Sequence, residues 1–310
     1  MIVVERPAPL LTVQDRGRVG YLADGVTRSG PLDALALAVG NALVGNHADA
    51  AALEGCLGGA SFRGEADFVF ALTGCEVAAT LNAAPVASYA VIEARARDVL
   101  TIERVVRGAV WYLALRGGVD VAPVLGSRST LLAAGLGGAN GAPLKAGYRV
   151  QGSGVASHAP ITSGVPHELR TPLDDAPIPL CAGPRSDALS DRAWDAFYRT
   201  TFTVSRAVSR VGYRLEGESV VSRVPADVAS EPACAGAMQL PPEGQPIVLM
   251  ADFPTIGGYP IIGVVPAHAL GAFAQRAPGT AVRFRAASID AALAATHHAH
   301  NALSQWASCG

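Results

Sequence analysis

Short apolar runs separated by glycine and proline limit what this chain can fold into. The 310 residues include 34 glycines and 21 prolines, and the apolar runs between them are short. Runs of this kind are typical of strands in an antiparallel barrel or sandwich. They predict strands over 68–73, 77–81, 89–92, 99–103 and 110–115 in the first half, and over 178–181, 202–205, 212–215, 246–250, 261–265 and 281–284 in the second.

Helices are predicted beside these strands, the clearest of them over 31–44 with Ser29 or Gly30 as its cap. Ser288 can cap a final helix, whose apolar seam is expected to pack on the protein body. That seam consists of Ile289, Ala292, Leu293 and Leu303. Shorter helices are predicted over 186–198 and 268–275.

A stretch rich in Ser, Thr, Gly and Pro, 152–177, is the predicted link between two halves. The chain is therefore assigned as mainly β with short helices, with subdomains at 1–165 and 166–310.

Composition excludes several classes of function. Half of the residues are hydrophobic, the net charge is −2, and no dense run of Lys and Arg occurs, which argues against nucleic acid or an anionic membrane as the partner. A small-molecule substrate and protein partners remain. No segment offers the roughly 20 apolar residues of a membrane span, and a cytoplasmic protein is expected. Lys145 is the only lysine, so anion binding falls to arginine and backbone N–H groups.

The cysteines and histidines predict no metal site. The five cysteines are odd in number, widely spaced and never in a C-x-x-C pair, so buried free thiols are expected rather than disulfides or zinc ligands. They are Cys56, Cys75, Cys181, Cys234 and Cys309. His297, His298 and His300 have no acidic residue near them in the sequence.

Residues 12–21 place polar side chains between glycines, where a hydrophobic core gains nothing from them. Such a loop is typical of a binding site. Gln14, Asp15 and Arg18 can form a polar wall of that site, with Asp15 as a candidate catalytic carboxylate. The alternative is that Asp15 fixes a tight turn through its own backbone.

Arg128 is flanked by the hydroxyl residues Ser127, Ser129 and Thr130. Its guanidinium can hold a substrate carboxylate or a phosphate while the hydroxyls donate further bonds. The alternative is a salt bridge that pins the loop. Asp120 follows a predicted strand and is a second candidate catalytic carboxylate, with turn fixation as its alternative.

Two further carboxylates are ambiguous. Asp33 lies in the first turn predicted for helix 31–44, where the helix dipole favours a carboxylate without any catalytic duty. Because Gly30 is nearby, the same turn also suits an anion-binding helix start, which would give Asp33 a catalytic or substrate-binding role, and Ser29 is a further substrate-binding candidate. Glu54 follows an apolar run and would be costly to bury alone, so it either pairs with an arginine or works as an acid or base.

A second polar loop occupies 251–260, preceded by a polar stretch over 239–246. Asp252 is its candidate catalytic carboxylate. The glycines that follow would let backbone N–H groups approach an oxyanion or a phosphate, and the tyrosine can orient substrate or simply pack. The substrate-binding candidates in this loop are Thr255, Gly257, Gly258 and Tyr259.

Seven motifs occur in order along the chain. They are Thr12-Val13-Gln14-Asp15-x-Gly17-Arg18-x-Gly20, Gly25-Val26-x-x-Ser29-Gly30-x-x-Asp33, Asn41-x-Leu43-Val44-Gly45-Asn46, Ala52-Leu53-Glu54, Gly117-Gly118-x-Asp120-Val121, Leu125-Gly126-Ser127-Arg128-Ser129-Thr130 and Gly257-Gly258-Tyr259-Pro260. Together they resemble the KipI-antagonist family, which includes allophanate hydrolase subunit 2 and the C subunit of bacterial ATP-dependent 5-oxoprolinase.

The resemblance implies a pair of cyclophilin-like β-barrels that act with a KipI-like partner of the 5-oxoprolinase B type and, in the 5-oxoprolinase case, a third subunit of its A type. The activity it implies is opening of the 5-oxoproline lactam to glutamate coupled to ATP hydrolysis, with ATP bound on this chain or at a subunit interface. A carboxyltransferase subunit that uses biotin carried by a partner is the alternative. A regulator that antagonises a KipI-like protein without chemistry of its own is a third hypothesis.

The chain departs from the family pattern at several polar positions. Where relatives commonly carry Arg-Gln-Thr-Thr before the Gly-Gly pair, this chain has Phe253-Pro254-Thr255-Ile256. A common lysine is replaced by Ile261, an arginine by Ala142 and an aspartate by Tyr148. The loss of these charges predicts either a different substrate or a loss of catalysis.

Overall fold

A computed structural model describes residues 1–224 and 229–308. The chain separates into two compact units. Unit 1 comprises Met1–Val19, Ser29–Thr171 and His300–Gly310, and unit 2 comprises Gly20–Arg28 and Pro172–Ala299. Each unit is assembled from separate segments of the chain. The predicted subdomain limits 1–165 and 166–310 stay a prediction.

Unit 1 is built on one nine-stranded sheet in which six strands follow the order β2-β3-β8-β4-β1-β9, and β5 pairs with β6, β7 and β8. The strands are β1 (Ile2–Arg6), β2 (Leu10–Gln14), β3 (Ala52–Cys56), β4 (Ala60–Gly64), β5 (Phe68–Leu81), β6 (Ala84–Pro85), β7 (Val91–Ala94), β8 (Val99–Leu115) and β9 (Arg149–Val150).

Two of these strands are longer than the sequence predicts. The runs 68–73 and 77–81 belong to the single strand β5, and the runs 99–103 and 110–115 to the single strand β8. Gly74 has φ 96°, and the β5–β8 register shifts after it. Bulges bend a strand without ending its ladder, so polar residues that break the apolar pattern do not end either strand.

The core of unit 1 packs around Trp111, whose ring meets Phe62 edge to face at 6.3 Å between centroids. Both side chains are fully buried. Gly55 lies opposite Trp111 in the β3–β8 ladder, and a Cβ at position 55 would overlap the indole ring. The absence of a side chain at that position is therefore required for the packing of the core.

Helix α1 (Ala34–Leu43) is shorter than the predicted 31–44. Neither Ser29 nor Gly30 caps it: Asp33 is the N-cap, and its side chain accepts a hydrogen bond from the Ala36 N–H at 3.1 Å. Asp33 is extended, at φ −126°, which is the backbone geometry of an N-cap. The predicted cap residues Ser29 and Gly30 instead have positive φ.

Unit 2 is built on an eight-stranded sheet in the order β18-β11-β12-β15-β14-β17-β10-β19, with β13 and β16 as a separate pair. The strands are β10 (Ile178–Ala182), β11 (Phe202–Val208), β12 (Gly212–Glu216), β13 (Glu231–Pro232), β14 (Ala237–Gln239), β15 (Ile247–Leu249), β16 (Ile256–Gly257), β17 (Ile261–Val264), β18 (Ala281–Val282) and β19 (Phe284–Ala287). The prediction of a mainly β chain with short helices and β-barrel subdomains is confirmed.

Three more α-helices follow α1 within the described residues: α2 (Asp191–Arg199), α3 (Ala267–Ala274) and α4 (Ile289–Ser308). The predicted helix 186–198 is wrong at its start, where Ser186–Ala188 forms a separate 3-10 turn. The expectation that the seam of α4 packs on the body is wrong at its first half, because Ile289 is 63% exposed and Leu293 is 52% exposed. In that seam only Ala292 is buried. Among the described helices, none is long and apolar enough to cross a membrane.

The cysteines are buried as predicted at Cys56, Cys75 and Cys181. Cys234 is exposed, so the prediction of a buried thiol is wrong there. Cys309 lies outside the described residues.

Candidate functional site

The carboxylate of Asp15 is the centre of a buried polar cluster in unit 1. Asp15 is 6% exposed, and its Oδ1 accepts hydrogen bonds from the Gly17 N–H at 2.9 Å and from the hydroxyls of Ser127 and Ser129. Its Oδ2 accepts one from the Arg128 N–H. Both carboxylate oxygens therefore accept hydrogen bonds, and the carboxylate joins the loop after β2 to the loop that contains Ser127 and Ser129.

The neighbouring polar residues tie the same loops together. Thr130 accepts bonds on its carbonyl from the Gln14 Nε2 at 3.2 Å and the Ser29 hydroxyl at 2.9 Å, and its own hydroxyl donates to the Val13 carbonyl. Arg18 is 1% exposed and donates to the Ser129 carbonyl. The structure therefore brings together predicted site residues that lie more than 100 positions apart in the sequence.

Arg128 is the member of this cluster that reaches solvent. Its side chain is 38% exposed and its Nη2 lies 4.0 Å from the Asp120 Oδ1, whose side chain is 51% exposed. The Arg128 Nε is buried and has no hydrogen-bond partner within residues 1–224 and 229–308. A half-exposed guanidinium is suited to bind an anion through the nitrogens that reach solvent.

A second series of buried hydrogen bonds in unit 1 links the Glu54 carboxylate, through the Tyr112 hydroxyl, to the backbone N–H of Asp33. The Tyr112 hydroxyl donates to the Glu54 Oε2 at 2.6 Å, and the Leu32 N–H donates to the same oxygen at 2.9 Å. The Tyr112 hydroxyl also accepts from the Asp33 N–H, while the Asp33 Oδ1 accepts from the Thr171 hydroxyl. Asp33, Glu54 and Tyr112 are completely buried.

Burial, and then the negative charge of Glu54, raises the pKa of Tyr112 well above its ordinary value. The tyrosine therefore stays protonated and keeps donating to Glu54. These hydrogen bonds fix the start of α1, so Asp33 and Glu54 have structural roles here. The sequence analysis did not identify Tyr112, which joins the two residues.

Asp252 in unit 2 is clamped by an arginine that sequence reasoning also missed. Arg210 donates from Nε and Nη2 to the two oxygens of Asp252, both at 3.0 Å. The two side chains are each 2% exposed. A two-bond pair of this kind fixes the position of both partners, and the Asp252 N–H further donates to the Arg210 carbonyl.

The loop after Asp252 returns to the surface. Ile256 is 61% exposed and Tyr259 39% exposed. Strand β16 contains Gly257 and pairs with β13, and the Thr255 carbonyl accepts from the Ala233 N–H at 3.0 Å. Gly258, like Gly257, is only partly buried. The predicted binding loop is thus anchored at Asp252 and by backbone bonds, while Ile256 and Tyr259 face solvent.

A family model described as the carboxyltransferase domain, subdomain A and B, matches residues 24–286. The chain belongs to that family. Similar members include the 5-oxoprolinase C subunit of Haemophilus influenzae, 36% identical over 91% of this chain and 89% of that protein. The 5-oxoprolinase C subunit of Escherichia coli is 36% identical over 95% of this chain and 94% of that protein.

The solved structure of a similar protein has the same fold. The crystal structure of the Kluyveromyces lactis urea amidolyase matches 98% of this chain with a TM-score of 0.92 and 29% identity. The match covers 20% of the urea amidolyase chain, so this chain corresponds to one part of that larger protein.

The departures from the pattern of the carboxyltransferase-domain family have a structural explanation in unit 2. Phe253 is 4% exposed and Ile261 is 3% exposed, and both belong to one buried cluster. The remaining buried members of this apolar cluster are Ala237, Ile247 and Leu249. Two replaced polar positions thus contribute jointly to one hydrophobic cluster, whereas Pro254 and Ile256 stay exposed. In unit 1, Tyr148 packs against the core and Ala142 is partly buried.

Among the residues that the structure describes, no group of three or more His, Cys, Asp or Glu side chains is arranged to hold a metal ion.

Proposed function

We propose that this chain is the C-type subunit of an ATP-dependent 5-oxoprolinase, a multisubunit cytoplasmic enzyme that opens the 5-oxoproline lactam to glutamate. The observation that carries the proposal is the full-length match: the two relatives named as C subunits of 5-oxoprolinase are covered over 89% and 94% of their length. The urea amidolyase chain is covered over only 20%.

In this proposal Arg128 binds an anionic oxygen of a reactant. The half-exposed guanidinium supports this role, and Asp15 acts as the residue that positions it through the Arg128 N–H. Asp15 is a poor candidate for proton transfer because both of its oxygens are already engaged. Asp120, half-exposed and 4.0 Å from Arg128, is the carboxylate of this cluster that can exchange a proton with water.

The residues of this chain fit ATP only in part. The hydroxyls of Ser127, Ser129 and Thr130, which the sequence offers as phosphate ligands, are bound to Asp15 and to the Val13 carbonyl. Arg128 is left to hold a phosphate. A triphosphate needs more donors than one guanidinium supplies, so we place the rest of the ATP site on a partner, either the KipI-like protein or the third member of the complex.

Phosphate release from ATP by the chain co-purified with both partner subunits tests the proposal. Release that depends on 5-oxoproline is expected. Arg128→Met should raise a KM by about 10- to 100-fold, since a charged hydrogen bond is worth about 1.5–3 kcal/mol. An effect on the KM for ATP identifies a phosphate as the bound group, and an effect on the KM for 5-oxoproline identifies its carboxylate.

Arg149→Met is the matched control, because Arg149 is an exposed arginine of the same unit that pairs with Glu65. It should leave both KM values unchanged. A stable complex without any 5-oxoproline-dependent release contradicts the proposed function and favours the regulatory hypothesis.

A biotin-dependent carboxyltransferase is the second candidate, supported by the TM-score of 0.92 to the urea amidolyase structure over 98% of this chain. Lys145 follows leucine rather than methionine, so the sequence offers no Met-Lys biotin-accepting motif and biotin would arrive on a partner. Binding of a biotinylated carrier domain, compared with the same carrier without biotin, tests this hypothesis. Equal affinity for the two carriers argues against it.

A further inference from the structure

A cavity of about 590 Å³ opens at one end of the sheet in unit 1. Small-molecule sites typically measure about 300–1,000 Å³ and often occupy the mouths of β-barrels. The charged residues that line this cavity are Asp67, Glu93, Arg95 and Arg116. Arg128 is not among the lining residues, so the proposed function gives this cavity no role.

The strands place three side chains in a row along the cavity wall. Val69 of β5 pairs with Glu93 of β7, and the Arg116 N–H donates to the Val69 carbonyl at 2.8 Å, which extends the β5–β8 ladder by one residue. Paired residues of antiparallel strands share one face of the sheet. Because neighbouring strands lie about 4.8 Å apart, the α-carbons of Glu93 and Arg116 are about 10 Å apart, with Val69 between them.

The charges around the cavity do not pair with one another. In the described part of the chain, none of the four charged side chains forms an ion pair. Backbone groups hold two of them: Asp67 accepts from the Ala96 N–H at 2.8 Å, and Arg116 donates to the Val44 carbonyl at 2.9 Å. Charges of both signs are therefore available to a ligand that carries both signs itself.

The inner side of the cavity is apolar. Ile2, Phe68 and Leu115 line it and belong to the buried core of unit 1. A ligand there meets apolar surface on one side and charged groups on the other, which suits a short carbon chain with charged ends.

We propose that this cavity binds a free α-amino acid, with its ammonium at Glu93 and its carboxylate at Arg116. At neutral pH an α-amino acid carries both groups, and its carbon chain can lie over Val69. Arg95 is then left for a second carboxylate, because a guanidinium binds carboxylates in two-bond pairs. Asp67 is less available for a second ammonium, since one of its oxygens already accepts from the Ala96 N–H.

The charge pattern thus favours a dicarboxylic amino acid over a basic one. Glutamate has this chemistry and is the product of the proposed reaction. The choice of glutamate rests on the proposed function, whereas the amino-acid site rests on the cavity and its charges.

The first test compares ligands by titration calorimetry on the full chain alone. L-Glutamate should bind saturably. Glutarate lacks the ammonium and the nitrogen of 5-oxoproline is an uncharged amide, so both should bind at least about 10-fold more weakly, as expected for the loss of a charge-assisted hydrogen bond. Tighter binding of L-lysine than of L-glutamate contradicts the assignment to a dicarboxylic amino acid, and no saturable binding of either overturns the site.

The second test assigns the bound ligand to the cavity. Glu93→Gln should raise the Kd for L-glutamate by about 10-fold or more and change the Kd for glutarate less, because it removes the partner of the ammonium. Arg95→Gln should raise both Kd values. Both positions are exposed, so the Tm should stay near wild type. Glu103→Gln and Arg104→Gln, at exposed positions of β8, are the matched controls and should change neither Kd.

Arg128→Met separates this cavity from the Arg128 cluster. It should leave the Kd for L-glutamate unchanged. A higher Kd in Arg128→Met, with wild-type affinity in Glu93→Gln and Arg95→Gln, places glutamate at Arg128 and overturns the inference.

The amino-acid site and the proposed function can fail separately, because calorimetry on the chain alone needs neither ATP nor the partner subunits. A chain that binds L-glutamate through Glu93, in a complex without 5-oxoproline-dependent phosphate release, supports the site and contradicts the proposed function. An active complex whose chain binds no amino acid overturns the site alone.

Discussion

Removing either charge of the buried Arg210–Asp252 pair should strongly destabilise unit 2. Removing both charges should cost less free energy of unfolding than the sum of the two single changes. The side chains are each 2% exposed and joined by two bonds of 3.0 Å, so water cannot screen the charge that is left behind. Losing one member of such a pair costs about 3–5 kcal/mol. At about 2–4 °C per kcal/mol, this lowers Tm by about 6–20 °C.

Asp252→Asn and Arg210→Met are suitable changes because they remove the charge and keep most of the volume. The double variant leaves no unpaired charge, and its cost should fall below the sum of the single costs by about 1–3 kcal/mol. The assay is urea unfolding followed by tryptophan fluorescence, to which Trp194 of the same unit and Trp111 and Trp306 of unit 1 contribute, with calorimetry alongside. Arg185→Met is the control, since the Arg185–Glu231 pair is partly exposed and exposed ion pairs contribute little to stability.

Wild-type stability of Asp252→Asn would refute this reasoning. If that variant were also inactive in the three-subunit complex, Asp252 would be a catalytic carboxylate, as the sequence predicts, rather than a residue that anchors the loop.

Two further outcomes are expected from unit 1. Gly55→Ala should destabilise the chain by about 3 kcal/mol or more, because its Cβ would overlap Trp111. Gly164→Ala is the control: position 164 has open space around it, so this variant should keep Tm within a few degrees of wild type. Equal Tm values for the two variants would contradict the packing argument. Burial, and then the charge of Asp33, raises the pKa of Cys75 to about 12, so near neutral pH it stays a protonated thiol and should not react with a thiol reagent until the chain unfolds or the pH approaches that value. In a Cys309→Ser background, exposed Cys234 should react first, and rapid labelling of Cys75 in the native state would contradict its burial.

The sequence predicts the class of fold because strands and turns are local. Short apolar runs and turn residues indicate a mainly β chain, and Asp33 lies within the predicted turn although its role as the cap is visible only in the structure. The same local pattern wrongly predicts two strands where the structure has the single strand β5. The bulges after Gly74 that keep β5 continuous depend on its pairing with β8, which the local sequence does not show.

The family and its candidate residues were also accessible from the sequence, because ordered motifs survive without coordinates, and the resemblance is confirmed. Their roles were not. Asp15 binds Ser127 and Ser129 across more than 110 positions, and Asp252 binds Arg210 across 42. Hydrogen-bond partners that distant are brought together only by the strand order of each sheet, and their burial decides which charges are free to meet a ligand. The sequence by itself thus determined which side chains are available for chemistry, and the tertiary structure decided that the Arg128 side chain reaches solvent while Asp15 and Asp252 are already bound.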